Sequence, residues 1–281
     1  MSDNINDIFK TDIFNSIISP PHSSNYSIIG TKWPSNQDIY FISKWHEIFE
    51  RYCTARIFIR EAVKDKWSDW EHWFDITDDE STNNASKLKL IADMYETALI
   101  NYNILVDLSW TITYVSSEYI LYKFDKSGNI VNSNAIYEML PIEQAYNALR
   151  YAENIVTAPT AADNPFRYLK EQLPEFEDSI DLIIDFWSKF SNSEIRSIYN
   201  YIKHKGKPVY YEINELDPVR FFDMHIGNEQ YPSDIRDVQK TLRLFDSINA
   251  LVEFDDEELF PYLTQLIASL KTAINPSPMV F

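Results

Sequence analysis

The chain has 281 residues, with 25 Lys and Arg against 43 Asp and Glu for a net charge of −18, and a single cysteine, Cys53. A chain of this length can withdraw roughly 75% of its unfolded surface from water, so it needs no disulfide framework or structural zinc, and one thiol can form neither. Gly30, Gly128, Gly206 and Gly227 lie too far apart for the phosphate-cradling loops of P-loop and Rossmann proteins, and the negative charge repels phosphate polymers and anionic membranes except at a local basic site.

The acidic start, Met1-Ser2-Asp3, lacks the basic-then-apolar order of an export signal, and the greasiest stretch, 108–124, holds Glu118 and Lys123. The expectation is a cytoplasmic protein that makes no membrane contact. Ser35 and Asp38 resemble a capping box, and Ile39, Ile42, Trp45, Phe49 and Cys53 then recur at helical spacing. A polar stretch, 75–84, ends that helix. A second follows through Leu88, Ile91, Tyr95, Ala98, Tyr102, Leu105, Ile112, Val115, Tyr119 and Tyr122, and the two are expected to pair antiparallel. After a turn at 125–134, Pro141 opens a third helix through Ile142, Ala145, Leu149, Ala152 and Val156.

The small and proline-rich stretch 157–165 reads as a linker between an N-terminal helical part, 1–157, and a C-terminal one, 165–275, packed as one unit. Pro165 and Pro174 each fit a first helical turn. Phe176, Ile180, Ile183, Trp187 and Phe190 line one helix, and Ser191 with Glu194 caps the next, which stops at Gly206 and Pro208. Residues 208–213 and 219–222 have strand-like composition. Helical spacing returns at Ile235, Val238, Leu242, Phe245 and Ile248, and again at Leu259, Tyr262, Leu266 and Leu270 behind the acidic start 255–258. The fold class is therefore all-α: a multi-helix bundle with long antiparallel helices and a small irregular or two-stranded insertion after Gly206.

Five histidines allow two metal chemistries to be tested. None of them follows a glutamate by three residues, as a di-iron bundle requires, and His46-Glu47 has no second histidine in zinc-protease register. Neither a metal nor a cofactor is expected. In the aromatic run Trp67, Trp70, Trp73 and Phe74, three-residue spacing puts the tryptophans on one helical stripe, which fits packing better than base stacking. The acids Asp75, Asp78, Asp79 and Glu80 read as caps or solvated charge, and Cys53 reads as an inert thiol on an apolar face beside Phe49 and Ile57.

The exception to the acidic background is 195–207, with Arg196, Lys203, Lys205 and Lys207 and no acid between Glu194 and Glu212. At 100° per residue, Ile195, Ile198, Tyr199 and Ile202 share an apolar face, while Arg196, Asn200, Lys203 and His204 fall within roughly 100° of arc on another. Arg196 and His204 stand about 12 Å apart along the axis, a span that two long side chains can bridge around a phosphate. Basic groups at a helix C-terminus also complement its dipole, and Gly206 suits the cap, so a purely structural role accounts for the same residues.

The ending Asn200-x-x-Lys203-His204-x-Gly206, behind Arg196, resembles the signature of the HEPN superfamily of helical-bundle domains. In the family's tight Arg-Asn-x-x-x-His arrangement the arginine's place is held here by Tyr199, with Arg196 one turn earlier. The resemblance implies a metal-independent ribonuclease or RNA-binding protein of a bacterial toxin or phage-defence type. It further implies a homodimer in which paired helices bring Arg196, Asn200 and His204 to one RNA phosphate, with Lys203, Lys205 and Lys207 binding nucleic acid. The other expectation is a catalytically inactive helical interaction module whose acidic surface binds a basic protein partner.

Overall fold

The computed structural model describes residues 36–63, 79–116, 123–124, 130–132, 170, 174–219, 225–226 and 229–274. In chain order these form α1 (Asn36–Ala62), α2 (Glu80–Ser116), the antiparallel pair β1 (Lys123–Phe124) and β2 (Ile130–Asn132), a 3-10 turn (Pro174–Phe176), α3 (Glu177–Phe190) and α4 (Glu194–Lys205). Then come β3 (Val209–Tyr210), α5 (Tyr211–Leu216), the antiparallel pair β4 (His225–Ile226) and β5 (Glu229–Gln230), a 3-10 turn (Ile235–Asp237), β6 (Thr241–Leu242), α6 (Leu244–Phe254), a π-helical turn (Asp255–Leu259) and α7 (Phe260–Ile274). The protein is all-α, and the small two-stranded insertion after Gly206 is the pairing of β3 with β6. No helix among the described residues is long and apolar enough to cross a membrane.

Two compact units interleave along the chain. Among the described residues the first comprises Cys53–Tyr102 and Glu194–Asp256. Ala55 and Ile59 of α1, Tyr95, Ala98, Leu99 and Tyr102 of α2, Ile198 of α4, and Leu244, Ile248 and Leu251 of α6 are its buried core. Asp79 starts α2 by accepting the Thr82 hydroxyl and the Ser81 and Thr82 amides, the amides at 3.2 Å, and these bonds, the hydroxyl's first, hold its carboxyl below the usual range.

Among the described residues the second unit is drawn from Ile18–Tyr52, Asn103–Ser193 and Glu257–Phe281. Its α7 packs on α3. Phe186 stacks on Tyr262 at 3.8 Å, and Trp110 meets Trp187 edge-on at 4.8 Å, arrangements that add about 0.5–1.5 kcal/mol each beyond their burial. Ser109 gives its proton to the Val106 carbonyl, so the 2.6 Å bond between Ser109 and Tyr262 is donated by the tyrosine.

Several expectations need correction. In α1 the buried apolar positions among the described residues are Ile48, Tyr52, Ala55, Ile59 and Ala62, a stripe displaced from Phe49 and Cys53, and Ile57 is exposed. Residues 211–213 are helical, and the strand before them pairs in parallel with Thr241–Leu242, not with a neighbouring hairpin arm. The spacing of Ile235, Val238 and Leu242 does not mark a helix: Asp234 closes a capping box over a single 3-10 turn, Val238 is exposed, and Leu242 belongs to β6. Ser191 ends α3, its amide donating to the Trp187 carbonyl, and does not open α4. Residues 255–258 are no helix start either, because the π turn carries the chain directly from α6 into α7. The expected third helix 141–156, the linker 157–165, the aromatic run 67–74, and the acids Asp75 and Asp78 lie outside the described residues.

Candidate nucleic-acid interface

Ile195, Ile198 and Tyr199 are the buried positions of α4, and Ile202 is half-buried. Asn200, Lys203, His204 and Lys205 are exposed and Arg196 is half-buried, so Arg196, Asn200 and His204, spaced four residues apart, form one stripe on the solvent side. Lys205 lies on the opposite side of the helix from Arg196. Among the described residues the side chains of Asn200 and His204 have no partner.

Lys203 borders the stripe on one side, next to Arg196. The Arg196 guanidinium carbon lies 5.1 Å and the Lys203 ammonium 5.8 Å from the centroid of the buried Tyr199 ring. Tyr199, which holds the place of the family's arginine, therefore supports two cations, each by about 0.5–1 kcal/mol. On the other side stands Lys240. Its amide donates to the Tyr201 hydroxyl at 3.2 Å and its ammonium to the Ser197 hydroxyl at 3.5 Å. Tyr201 lies roughly 60° around the helix beyond His204, so Lys240 and the Arg196–Lys203 pair flank Asn200 and His204. The Val209 amide, donating to the Lys240 carbonyl at 2.9 Å, ties this lysine to the β3–β6 pair. Sequence reasoning missed Lys240 because Asp234 and Asp237 precede it and mask its charge in any linear window.

Lys207 leaves the stripe. Gly206 adopts φ 105°, in the left-handed region, and turns the chain so that the Lys207 ammonium meets Asp93 and, at 3.7 Å, Glu96 of α2. The Tyr210 hydroxyl donates to Glu96 at 3.0 Å, and the Tyr210 ring meets the buried Tyr95 edge-on at 6.4 Å. Burial would lower the Lys207 ammonium, but its bond to Asp93 and the charges of Glu96 and Asp93 hold it above its ordinary value. Burial pushes both tyrosine hydroxyls well up.

Burial also pushes the Glu96 carboxyl up, and Lys207 and Tyr210 reverse this only in part. A raised acid favours its neutral form in the folded protein. Glu96 thus contributes stability that is complete below its ordinary 4.5 and is lost as pH rises through the higher folded value. On going from about pH 5 to about pH 7 the wild type should therefore lose urea midpoint relative to Glu96→Gln, whose amide does not titrate. Parallel midpoints at the two values would show that the carboxylate carries no burial penalty.

The remaining candidates fall to structural roles. Cys53 is half-buried and burial pushes its thiol up, against the nearby Arg56 charge. Asp255 is 4% exposed at its side chain and paired with Arg56 at 2.8 Å, which corrects its reading as a solvated helix-start acid. Among the described residues no group of His, Cys, Asp or Glu gathers as a metal site. Comparison of the chain with protein-family models, curated proteins and solved structures finds no match.

Proposed function

We propose that the α4 face binds RNA and that His204 cuts it without a metal, in the manner of the HEPN domains that residues 195–207 resemble. The observation that supports this most directly is the open stripe of Arg196, Asn200 and His204, flanked by Lys203 and Lys240 in a chain of net charge −18. Histidine takes the proton of a ribose 2′-hydroxyl, that oxygen attacks the adjacent phosphorus, and the bond to the 5′-oxygen breaks, leaving a 2′,3′-cyclic phosphate and a 5′-hydroxyl. Arginine stabilises the added phosphoryl charge, and asparagine orients the phosphate. In the paired arrangement that the resemblance implies, a second copy brings its own Arg196 and His204 to the same phosphate, and a homodimer is the working form. The setting is the cytoplasm, in a toxin or phage-defence role.

Binding of single-stranded RNA should weaken steeply with salt, by about 0.7 in the logarithmic slope for each phosphate neutralised, and Lys240→Ala should remove about one such contact. Fluorescence anisotropy over a salt series measures both. No binding at low salt would discard the RNA reading in favour of an acidic interaction module for a basic protein, which the net charge of −18 favours.

A further inference from the structure

Beyond the α4 face, one exposed aromatic is held by two arginines. Tyr211 is 37% exposed, and the guanidinium carbons of Arg243 and Arg236 lie 5.2 Å and 5.7 Å from its ring centroid. The two arginines differ in what else they touch. Arg236 donates to Asp234 at 2.8 Å and to Glu215 at 2.9 Å, so its charge is neutralised and its position fixed. Arg243 is exposed and has no carboxylate partner among the described residues. The nearest candidate in sequence to Tyr211, Glu212, is spent on the first amide of α6, accepting from Leu244 at 2.9 Å.

The parallel register explains how these residues meet. Val209 is opposite Thr241 and Tyr210 opposite Leu242, so Tyr211 and Arg243 are the next residue along each strand. On the other side of the pair, Lys240 precedes Thr241 and reaches Ser197 of α4. The same short strand is therefore flanked by Lys240 at the α4 face and, three residues on and about 10 Å away, by Arg243 on Tyr211.

A guanidinium plane resting against an aromatic ring is a preorganised surface for a nucleobase, which stacks on arginine and tyrosine alike whatever its sequence. A point charge offers no such surface. We propose that Arg243 and Tyr211 form a stacking subsite for one unpaired base of a single-stranded RNA whose backbone lies along Lys240 and the α4 stripe. This rests on the RNA reading and narrows its substrate class to unpaired strands, since a base held in a duplex has no free face to offer.

The full-length protein would be titrated at low salt with a fluorescent ten-nucleotide oligouridylate and with an abasic ribose-phosphate strand of the same length. Arg243→Lys, which keeps the charge and loses the plane, and Tyr211→Ala should each weaken oligouridylate binding about tenfold and leave the abasic strand unchanged. Tyr211→Phe, which keeps the ring, should bind as wild type, and Arg196→Ala should weaken both strands. Wild-type affinity in Arg243→Lys and Tyr211→Ala, with Arg196→Ala impaired, would overturn the subsite and leave the RNA reading standing. Equal losses on both strands would overturn it as well, since that pattern marks charge or folding. Wild-type protein that binds neither strand would overturn the subsite together with the reading beneath it.

Discussion

Replacing Asp255 with alanine should destabilise the protein by about 3–5 kcal/mol. Its Oδ2 accepts from Arg56 Nε at 2.8 Å and from the Tyr102 hydroxyl at 2.7 Å, and the two charged side chains are only 8% and 4% exposed. The truncation removes from Arg56 the carboxylate that accepts its Nε and from the Tyr102 hydroxyl the oxygen to which it donates, both inside the core, where a lost hydrogen bond to a charged group is costly. The pair's value lies in its completeness and not in its net attraction. The double variant Arg56→Met, Asp255→Leu should accordingly recover most of the loss, because both desolvation penalties vanish together. Urea unfolding followed by circular dichroism measures all three proteins. A loss below about 1 kcal/mol in Asp255→Ala would mean that water or a rearranged partner satisfies Arg56.

On the proposed mechanism, His204→Ala should cost about 10²–10⁴ in the rate of RNA cleavage, with RNA affinity nearly unchanged. The side chain is exposed and has no partner among the described residues, so its removal should leave the fold intact and the loss should fall on proton transfer. Lys203→Ala should show the reverse pattern, weaker binding and a nearly normal rate at saturation, since Lys203 supplies charge to the backbone and no proton to the reaction. Single-turnover cleavage of a labelled RNA, with affinity measured in parallel, separates the two. Cleavage that survives His204→Ala, or that requires added magnesium, would refute the metal-free histidine mechanism.

The helical class and much of the core were legible from periodicity alone. Tyr95, Ala98, Tyr102, Leu105 and Ile112 of α2 are buried as their spacing predicts, and so are Ile180, Ile183 and Phe190 of α3. Periodicity failed where a short segment imitates a helix by chance. Ile235, Val238 and Leu242 have the right intervals, yet the Asp234 capping box and the pairing of Leu242 with Tyr210 outweigh a pattern only two turns long. It also misjudged 255–258, since acids in a row look alike whether solvated or buried, and only tertiary contact reveals that Arg56, 199 residues away in sequence, waits for Asp255. At the candidate site, the stripe of Arg196, Asn200 and His204 follows from helix geometry. The additions of Lys240 and Arg243 and the diversion of Lys207 to α2 do not, because each depends on a long-range pairing for which adjacent residues give no signal.

The parallel pairing of β3 with β6 has a consequence for how this region tolerates change. Parallel strands cannot be joined by a tight turn, so the crossover 211–240 must close before Val209 can meet Thr241. The entropy of closing such a loop grows only with the logarithm of its length, about 0.6 kcal/mol for each doubling. In closure entropy alone, a longer crossover therefore costs little. A slip of one residue between the strands is not: it turns Leu242 out of the core, carries Lys240 away from Ser197 and parts Arg243 from Tyr211 in a single step. Closure entropy sets little limit on the length of the crossover, while the alignment of its two ends is fixed to the residue.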